Sequence, residues 1–377
     1  MNLSNVVITY ETEEAARQRL VAFGYPPEIA AEIAVYLGQS TDLPDFFEDI
    51  SAAGATAGLK VDFIELDHWL GRMGEFQAVR ESTIVWAVSD GVRYYRGSSV
   101  SSLSRLAGFA RFGSPATAQH LCQDKFASLA LAQTVGLTVP PTLLTEGETE
   151  IATLGDFAAA SSPYFVKPNT LGAKIGIFAD SRCASLAEAK ARAERLWRRY
   201  RDRAVIQPFI EGDDVRVSFL DTGGAFVDQL GIDQLGKDPA SETAGAFMTM
   251  KDNETLSGAR DVSGARGGFG ASREAAFVPK MIDLRRSPDE RAKRAVNDIV
   301  ETTTRLARLL NLRDCFSMDY RINAEGRPTF FEFEICPGVT IYDFQNYLAT
   351  THGLSLGGAL AKAFALAFAR RRDPAEA

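Results

Sequence analysis

Three carboxylates stand out by their spacing: Asp319, Glu332 and Glu334, within RDCFSMDYRINAEGRPTFFEFEICPGVT, residues 313–340. Both ends of this stretch are rich in Phe, Tyr, Met and Ile, and Asn323, Glu325 and Gly326 between them are turn residues. It reads as two antiparallel strands. Side chains alternate along a strand with period two. Cys315, Ser317, Asp319 and Arg321 therefore share one face of the first strand, and Phe330, Glu332, Glu334 and Cys336 one face of the second. A turn centred on Glu325–Gly326 sets Asp319 opposite Glu332 and Ser317 opposite Glu334. Like charges directly opposite destabilise a sheet, and a cation removes that cost. Asp and Glu oxygens with no nearby His or paired Cys suit Mg²⁺ or Mn²⁺ rather than zinc. The stretch predicts a metal–nucleotide site. The plainer alternative is a solvated acidic face, against which Phe331 and Phe333 on the other face indicate a strand packed on a core.

The chain that must position this patch has 377 residues, enough for two or three domains. With 46% hydrophobic and 24% charged residues it can fill more than one core. A net charge of −8 argues against a nucleic-acid partner held by a general basic field. Cys122, Cys183, Cys315 and Cys336 show no CxxC spacing, which fits a reducing, cytoplasmic setting. No signal peptide is evident. The most apolar tract, Leu354–Ala369, is short and broken by Lys362; it reads as a buried helix, so no membrane association is expected.

In chain order, Asn5–Tyr10, Lys60–Leu66 and Ile84–Val88 read as strands, separated by helices over Thr12–Phe23, Pro27–Leu37 and Leu43–Gly58. That alternation predicts an α/β unit with a parallel sheet over residues 1–110. No residue in it stands out as chemical, and His68 reads as a surface or core histidine. Residues 111–206 form a second unit. Ala116–Val135 reads as one long helix carrying His120 and Lys125, followed by strand, Lys167, a loop with Gly172 and Gly176, and a further strand over residues 163–178. Glycines let backbone N–H groups approach an anion. Ser185 to Glu188 is a capping box opening a helix to about Tyr200, and Ala204–Phe209 is a strand. Residues 207–377 form the third unit. Its segment 236–276 is irregular; Arg260, Arg266 and Arg273 there are candidates for a lid over phosphates, a surface insertion being the alternative. Ser287 to Glu290 reads as a capping box with Pro288 at the first helical position, opening a helix to about Leu310.

In this order the pieces resemble an ATP-grasp ligase, nearest to the D-alanine–D-alanine ligase group, over roughly residues 113–343. The matching motifs are Asp124–Lys125, VKP-x(3)-G-x(3)-G at 166–176, QPFIEGDDVRV at 207–217 and the MDYR…FFEFEICPGVT run. The resemblance implies a three-domain α/β architecture: the N-terminal α/β domain and two α+β domains clasping ATP. It implies that Lys125 and Lys167 hold ATP phosphates and that Gly172, Lys174 and Gly176 belong to the loop over them. Gln207, Phe209 and Ile210 would form the hinge meeting adenine, with Asp214 on the ribose and Lys251 facing the γ-phosphate. Asp319, Glu332 and Glu334 would hold two Mg²⁺ (or Mn²⁺) ions. Gly338 would line the substrate end. The implied activity is carboxylate–amine ligation of amino-acid-like small molecules through an acyl phosphate, releasing ADP and phosphate, with a homodimer as the expected assembly. Modification of a peptide or protein terminus, and nucleotide binding without catalysis, are the alternatives.

The departures are specific. Ser317 stands where the family usually has an arginine that stabilises the tetrahedral intermediate. Arg216, alternating with Asp214 and Ser218, is the expected replacement; Arg266 and Arg273 come next, and a surface salt bridge from Arg216 to Asp213 or Asp214 is the plain alternative. Ala173 and Lys174 replace the usual serines after Gly172. The glycine-rich N-terminal motif with its substrate-binding Glu is absent after the first strand. Asp343 occupies the place of a serine that holds the acceptor's carboxylate, which points to an acceptor with a cationic group or to an amine lacking a free α-carboxylate. Alternatively Asp343 caps the next helix or pairs with an arginine that itself binds a carboxylate.

Overall fold

The computed structural model describes residues 2–41, 43–89, 96–236, 243, 246–252 and 280–371. The first sheet is parallel, in the order β2-β1-β3-β4, with β1 Asn5–Tyr10, β2 Lys60–Glu65, β3 Thr83–Val88 and β4 Ala110–Phe112. All six residues of β3 are buried, as a strand covered on both faces requires. Helix Glu13–Ala22 starts where the Thr12 side chain accepts from Ala15 N at 3.2 Å. The last helix, Leu356–Arg370, returns to this sheet: Leu360, Ala363, Phe364 and Phe368 share a core with Val6, Ile8, Trp86 and Phe112. Its approach is close, because a Cβ on Gly357 would lie 2.4 Å from Asp49 O. The chain's two ends thus form one core. Among the described residues no single helix is long and apolar enough to cross a membrane.

The second sheet runs β6-β5-β9-β7-β8, with β5 Thr142–Glu146, β6 Thr149–Leu154, β7 Tyr164–Pro168, β8 Arg182–Cys183 and β9 Ala204–Pro208. Helix Leu186–Tyr200 covers it, capped as expected by Ser185 Oγ. Two expectations fail here. Ala116–Val135 is not one helix but two, Ala116–Leu121 and Lys125–Thr134. Asp124 breaks it by accepting from Ala127 N at 2.9 Å, making itself the cap of the second. And no strand follows the glycine loop directly; a 3₁₀ turn at Ala179–Ser181 leads into the two-residue β8.

The third sheet is antiparallel, β12-β11-β10-β13-β14, with β10 Asp213–Leu220, β11 Gly231–Leu235, β12 Met281–Asp283, β13 Cys315–Ile322 and β14 Pro328–Glu334. One face buries Val215, Val217, Phe316, Met318, Phe330 and Phe333 against helix Glu290–Leu310. That helix presents Ala292, Ala295, Ile299, Thr303 and Leu306 at three- and four-residue intervals. Each fully buried Phe contributes about 1.5–3 kcal/mol. The helix is capped by Asp289, whose carboxylate accepts from Arg291 N, rather than by Ser287; Pro288 lies before it.

The β13–β14 register has Asp319 opposite Glu332 and Ser317 opposite Glu334, as read from the sequence, but the route differs. At the turn Ile322 faces Pro328, so the hairpin is centred on Glu325, and a β-bulge after Asp319 makes up the difference. A bulge sets two residues against one. Phe331 is the extra residue, and it joins Glu332 on the exposed face, while Phe330 turns into the core. The expectation that Phe330 shares the acidic face and Phe331 the apolar one is therefore reversed.

Candidate active site

A cleft lies between the second and third sheets, and β10, β13 and β14 supply its polar floor. Because Val215, Val217, Met318 and Phe333 take the core face, period two turns Asp214, Arg216, Asp319, Arg321, Glu332 and Glu334 into the cleft. Lys125, Lys167 and Lys174 approach from the second sheet and its loops, and Gly338, Tyr342 and Asp343 close one end.

Lys125 is buried at the first position of its helix. Its Nζ donates to Leu171 O at 2.9 Å and lies 3.4 Å from Glu332 Oε2. Asn169, one residue past β7, docks that helix by accepting from Phe126 N at 2.9 Å. Lys167 is the last residue but one of β7, with Nζ 5.3 Å from the Phe331 ring centroid. Burial lowers it to about 8, with Glu332 opposing. Burial resists ionisation of Glu332, but the ammoniums of Lys125 and Lys167 hold it down to about 2. Burial pushes Glu334 up to about 7; its Oε2 accepts from Ser317 Oγ at 3.3 Å.

The glycine loop is anchored by Asp202, whose carboxylate accepts from Thr170 N at 2.8 Å and Leu171 N at 3.2 Å. Gly176 has φ +79°, and a Cβ there would lie 2.6 Å from Pro168 Cγ, so only glycine fits. Ala173 and Lys174 take the left-handed conformation, with φ +50° and +62°, which costs a residue with a side chain about 1–2 kcal/mol. Lys174 lines the cleft, its pKa lowered by burial and then by Arg216.

Arg216 is the centre of the floor. Its Nε and Nη2 donate to Asp319 Oδ1 and Oδ2, both at 2.9 Å, and Nη1 lies 3.0 Å from Asp343 Oδ2 and 3.9 Å from Glu334 Oε2. It is not paired with Asp213, which meets Arg291, or with Asp214, which meets Arg321. Burial pushes Asp319 up, and Arg216 opposes that. Asp343 does not cap its helix; Ile341 holds that position, and Asp343 is buried on Arg216. Of the readings open for it, pairing with an arginine is the one the geometry has.

The other end of the cleft is apolar, with Phe165, Phe209, Phe247, Leu235 and Met248; the Phe165 and Phe247 rings meet edge-on at 4.9 Å. Gln207 is buried and donates through Nε2 to Thr142 Oγ1 at 2.9 Å. Phe209 N donates to Pro163 O at 2.7 Å, and Ile210 O accepts from Arg321 Nη1 at 2.8 Å. These groups, expected as a hinge, are engaged within the protein.

Some expected residues are not brought to the cleft. Ser317 is buried and lies beneath Glu334, outside the lining. Lys251 is exposed and not part of the lining. Arg260, Arg266 and Arg273 lie outside the described residues. Arg321, Phe165, Phe247, Phe331 and Tyr342 line the cleft without having been singled out. Arg321 was readable from its place two residues after Asp319; Phe331 was hidden by the bulge. In the first unit, Glu11 at the end of β1 is 2% exposed and held by Arg19 at 2.8 Å and Arg96 at 2.6 Å, a buried ion cluster that no motif marks.

Among the described residues no three His, Cys, Asp or Glu side chains stand close enough to hold a metal ion as arranged. Asp319 is turned to Arg216 and Glu332 to Lys125. The donor set still fits a hard divalent cation: carboxylate oxygens from two adjacent strands, with Arg216 and Lys125 supplying the positive charge such a cation would bring.

No protein-family model matches the chain. The D-alanine–D-alanine ligase of Gloeobacter violaceus is 25% identical over 271 residues, 72% of this chain and 77% of that protein. The solved structure of a D-alanine–D-alanine ligase from Bacillus anthracis complexed with ATP superposes with a TM-score of 0.60 at 12% identity, over 98% of this chain and 99% of that one. The VanG D-Ala:D-Ser ligase of Enterococcus faecalis gives 0.57 at 15% identity, over 97% and 100%. The chain thus has the ATP-grasp fold of these D-alanine–D-alanine ligase structures and is similar in sequence to D-alanine–D-alanine ligases.

Proposed function

We propose that the protein is an ATP-dependent ligase that joins a carboxylate to an amine. The observation that carries this is the cleft itself: an aromatic end for a base, buried lysines at its centre, and an Arg216–Asp319–Asp343 cluster beyond them, beside Glu332 and Glu334. The order matches what phosphoryl transfer from ATP to a carboxylate demands, since the protein's work there is positioning and charge stabilisation. The likeness to ligases named for D-alanine and D-serine supports amide formation.

In this reading Lys125 and Lys167 bind ATP phosphates, and the Gly172–Gly176 loop covers them. Phe165, Phe209 and Phe247 hold adenine, and Asp214 with Arg321 borders the ribose. Asp319, Glu332 and Glu334 would hold Mg²⁺, which would neutralise phosphate charge. The substrate carboxylate attacks the γ-phosphorus and ADP leaves. The neutral amine then attacks the acyl phosphate carbon; phosphate leaves as the C–O bond breaks, the nitrogen gives up one proton to solvent, and the amide is formed. Arg216 takes the oxyanion's charge. Its five fixed donors suit acyl-phosphate oxygens.

Hydroxylamine trapping tests the intermediate. With ATP, Mg²⁺ and a pool of amino-acid carboxylates, a hydroxamate should form in step with ADP. ADP release with every carboxylate and no hydroxamate would rule the acyl phosphate out.

A further inference from the structure

Arg216 bridges two acids from different elements. Nε and Nη2 are committed to Asp319 on β13, at 2.9 Å each, and Nη1 to Asp343 in helix Tyr342–Tyr347, at 3.0 Å. Asp343 is 5% exposed, and its Oδ1 accepts from Phe344 N at 2.9 Å, so the carboxylate is fixed from both sides. The donors of a guanidinium diverge in a rigid fork. A divalent cation arriving at Asp319 therefore competes with Nε and Nη2 and leaves the Nη1 contact untouched.

Resting on the reading of this cleft as a metal–nucleotide site, we propose that Asp343 is a positioning residue acting through Arg216. It retains the guanidinium at the metal end of the cleft when Asp319 passes from Arg216 to a cation. Arg216 is the cleft's own counter-ion until then. Asp343 supplies the second anchor, so Arg216 can release Asp319 without leaving a buried charge unpaired, which would be costly. The carboxylate of Asp343 is thereby spent on Arg216 and does not itself select a cationic acceptor.

The experiment is Mn²⁺ binding to the full chain, read from the electron paramagnetic resonance of free Mn²⁺, with no nucleotide and no turnover. Wild type, Asp343→Asn, Arg216→Met and the double variant are compared. Arg216→Met should bind Mn²⁺ several-fold tighter, its competitor being gone. Asp343→Asn should bind about tenfold weaker, within the coupling expected of contacting residues. In the Arg216→Met background the same Asp343 change should alter affinity by less than about twofold. Equal weakening in both backgrounds would overturn the proposal, since Asp343 would then act on the cation directly; so would looser binding in Arg216→Met. If Asp343→Asn does not fold, Asp343→Glu carries the same comparison. Mn²⁺ binding without coupling between the two residues sinks this inference alone. Failure of wild type to bind Mn²⁺ or ATP sinks the ligase reading, and this inference with it.

Discussion

Glu334→Gln should flatten the pH dependence of stability between about pH 4.5 and 7. Burial raises Glu334 from its ordinary 4.5 to about 7 in the folded protein. Between those values the native state holds a proton that the unfolded state has lost, so stability falls as pH rises through this window. The full difference corresponds to about 3 kcal/mol at 1.36 kcal/mol per pH unit. The side chain is 30% exposed, so about 2 kcal/mol is the expected share after solvent screening. Glu332 has the opposite sign: held down to about 2, it adds stability above its ordinary pKa that is lost as pH falls toward 2. Asp233, raised to about 6 by burial, overlaps the window, so the difference between wild type and Glu334→Gln is the quantity to measure. Urea unfolding in EDTA at pH 5 and pH 7.5 gives it. The variant should gain about 2 kcal/mol on wild type at pH 7.5 relative to pH 5. Parallel profiles for the two proteins would refute the placement of Glu334 as a half-buried, weakly ionised carboxylate.

Glu332→Ala should abolish turnover while circular dichroism keeps the wild-type spectrum, with a lower unfolding midpoint at neutral pH because Lys125 and Lys167 lose their partner; full activity would remove Glu332 from the metal set. Arg216→Met should lower turnover by roughly 10²–10³, the usual cost of losing an oxyanion donor, measured as kcat with saturating ATP; wild-type kcat would pass the role elsewhere. Gly176→Ala forces a Cβ to 2.6 Å from Pro168 Cγ at a positive φ, so ATP affinity by calorimetry should fall about tenfold, a strain of at least about 1 kcal/mol; unchanged affinity would separate the loop from the phosphates. Asp343→Ser should lower turnover with all acceptors alike in a screen of amines; a switch from cationic to carboxylate-bearing acceptors would make Asp343 an acceptor-reading residue after all.

The parts of the fold legible from the sequence are those with local causes. Thr12 and Ser185 announce their helices because an N-cap needs one side-chain oxygen at one place. The Asp319–Glu332 pairing is read from period two and a turn on Glu325–Gly326, but the hairpin is centred on Glu325 and the bulge after Asp319 restores that register. What escaped depends on competition between local and distant contacts. Asp124 is both a tolerable helix residue and a cap; docking of Lys125 and Phe126 on Asn169 accompanies the cap. Ser287 matched a capping box, yet Asp289 caps the helix. The bulge at Phe331 leaves no mark in the alternation around it. Arg216 was a candidate from its place on β10, but its hold on Asp343 joins residues 127 positions apart that only the tertiary fold brings together. The return of helix Leu356–Arg370 to the first sheet is equally non-local.

The most direct test of the account is incubation of the purified protein with ATP, Mg²⁺ and pools of amino acids and amines, reading phosphate release and product masses together. The account predicts ADP and phosphate in equal amounts, and a product whose mass is the sum of a carboxylate and an amine less one water. AMP and pyrophosphate, or phosphate release with no amide in any pool, would contradict it.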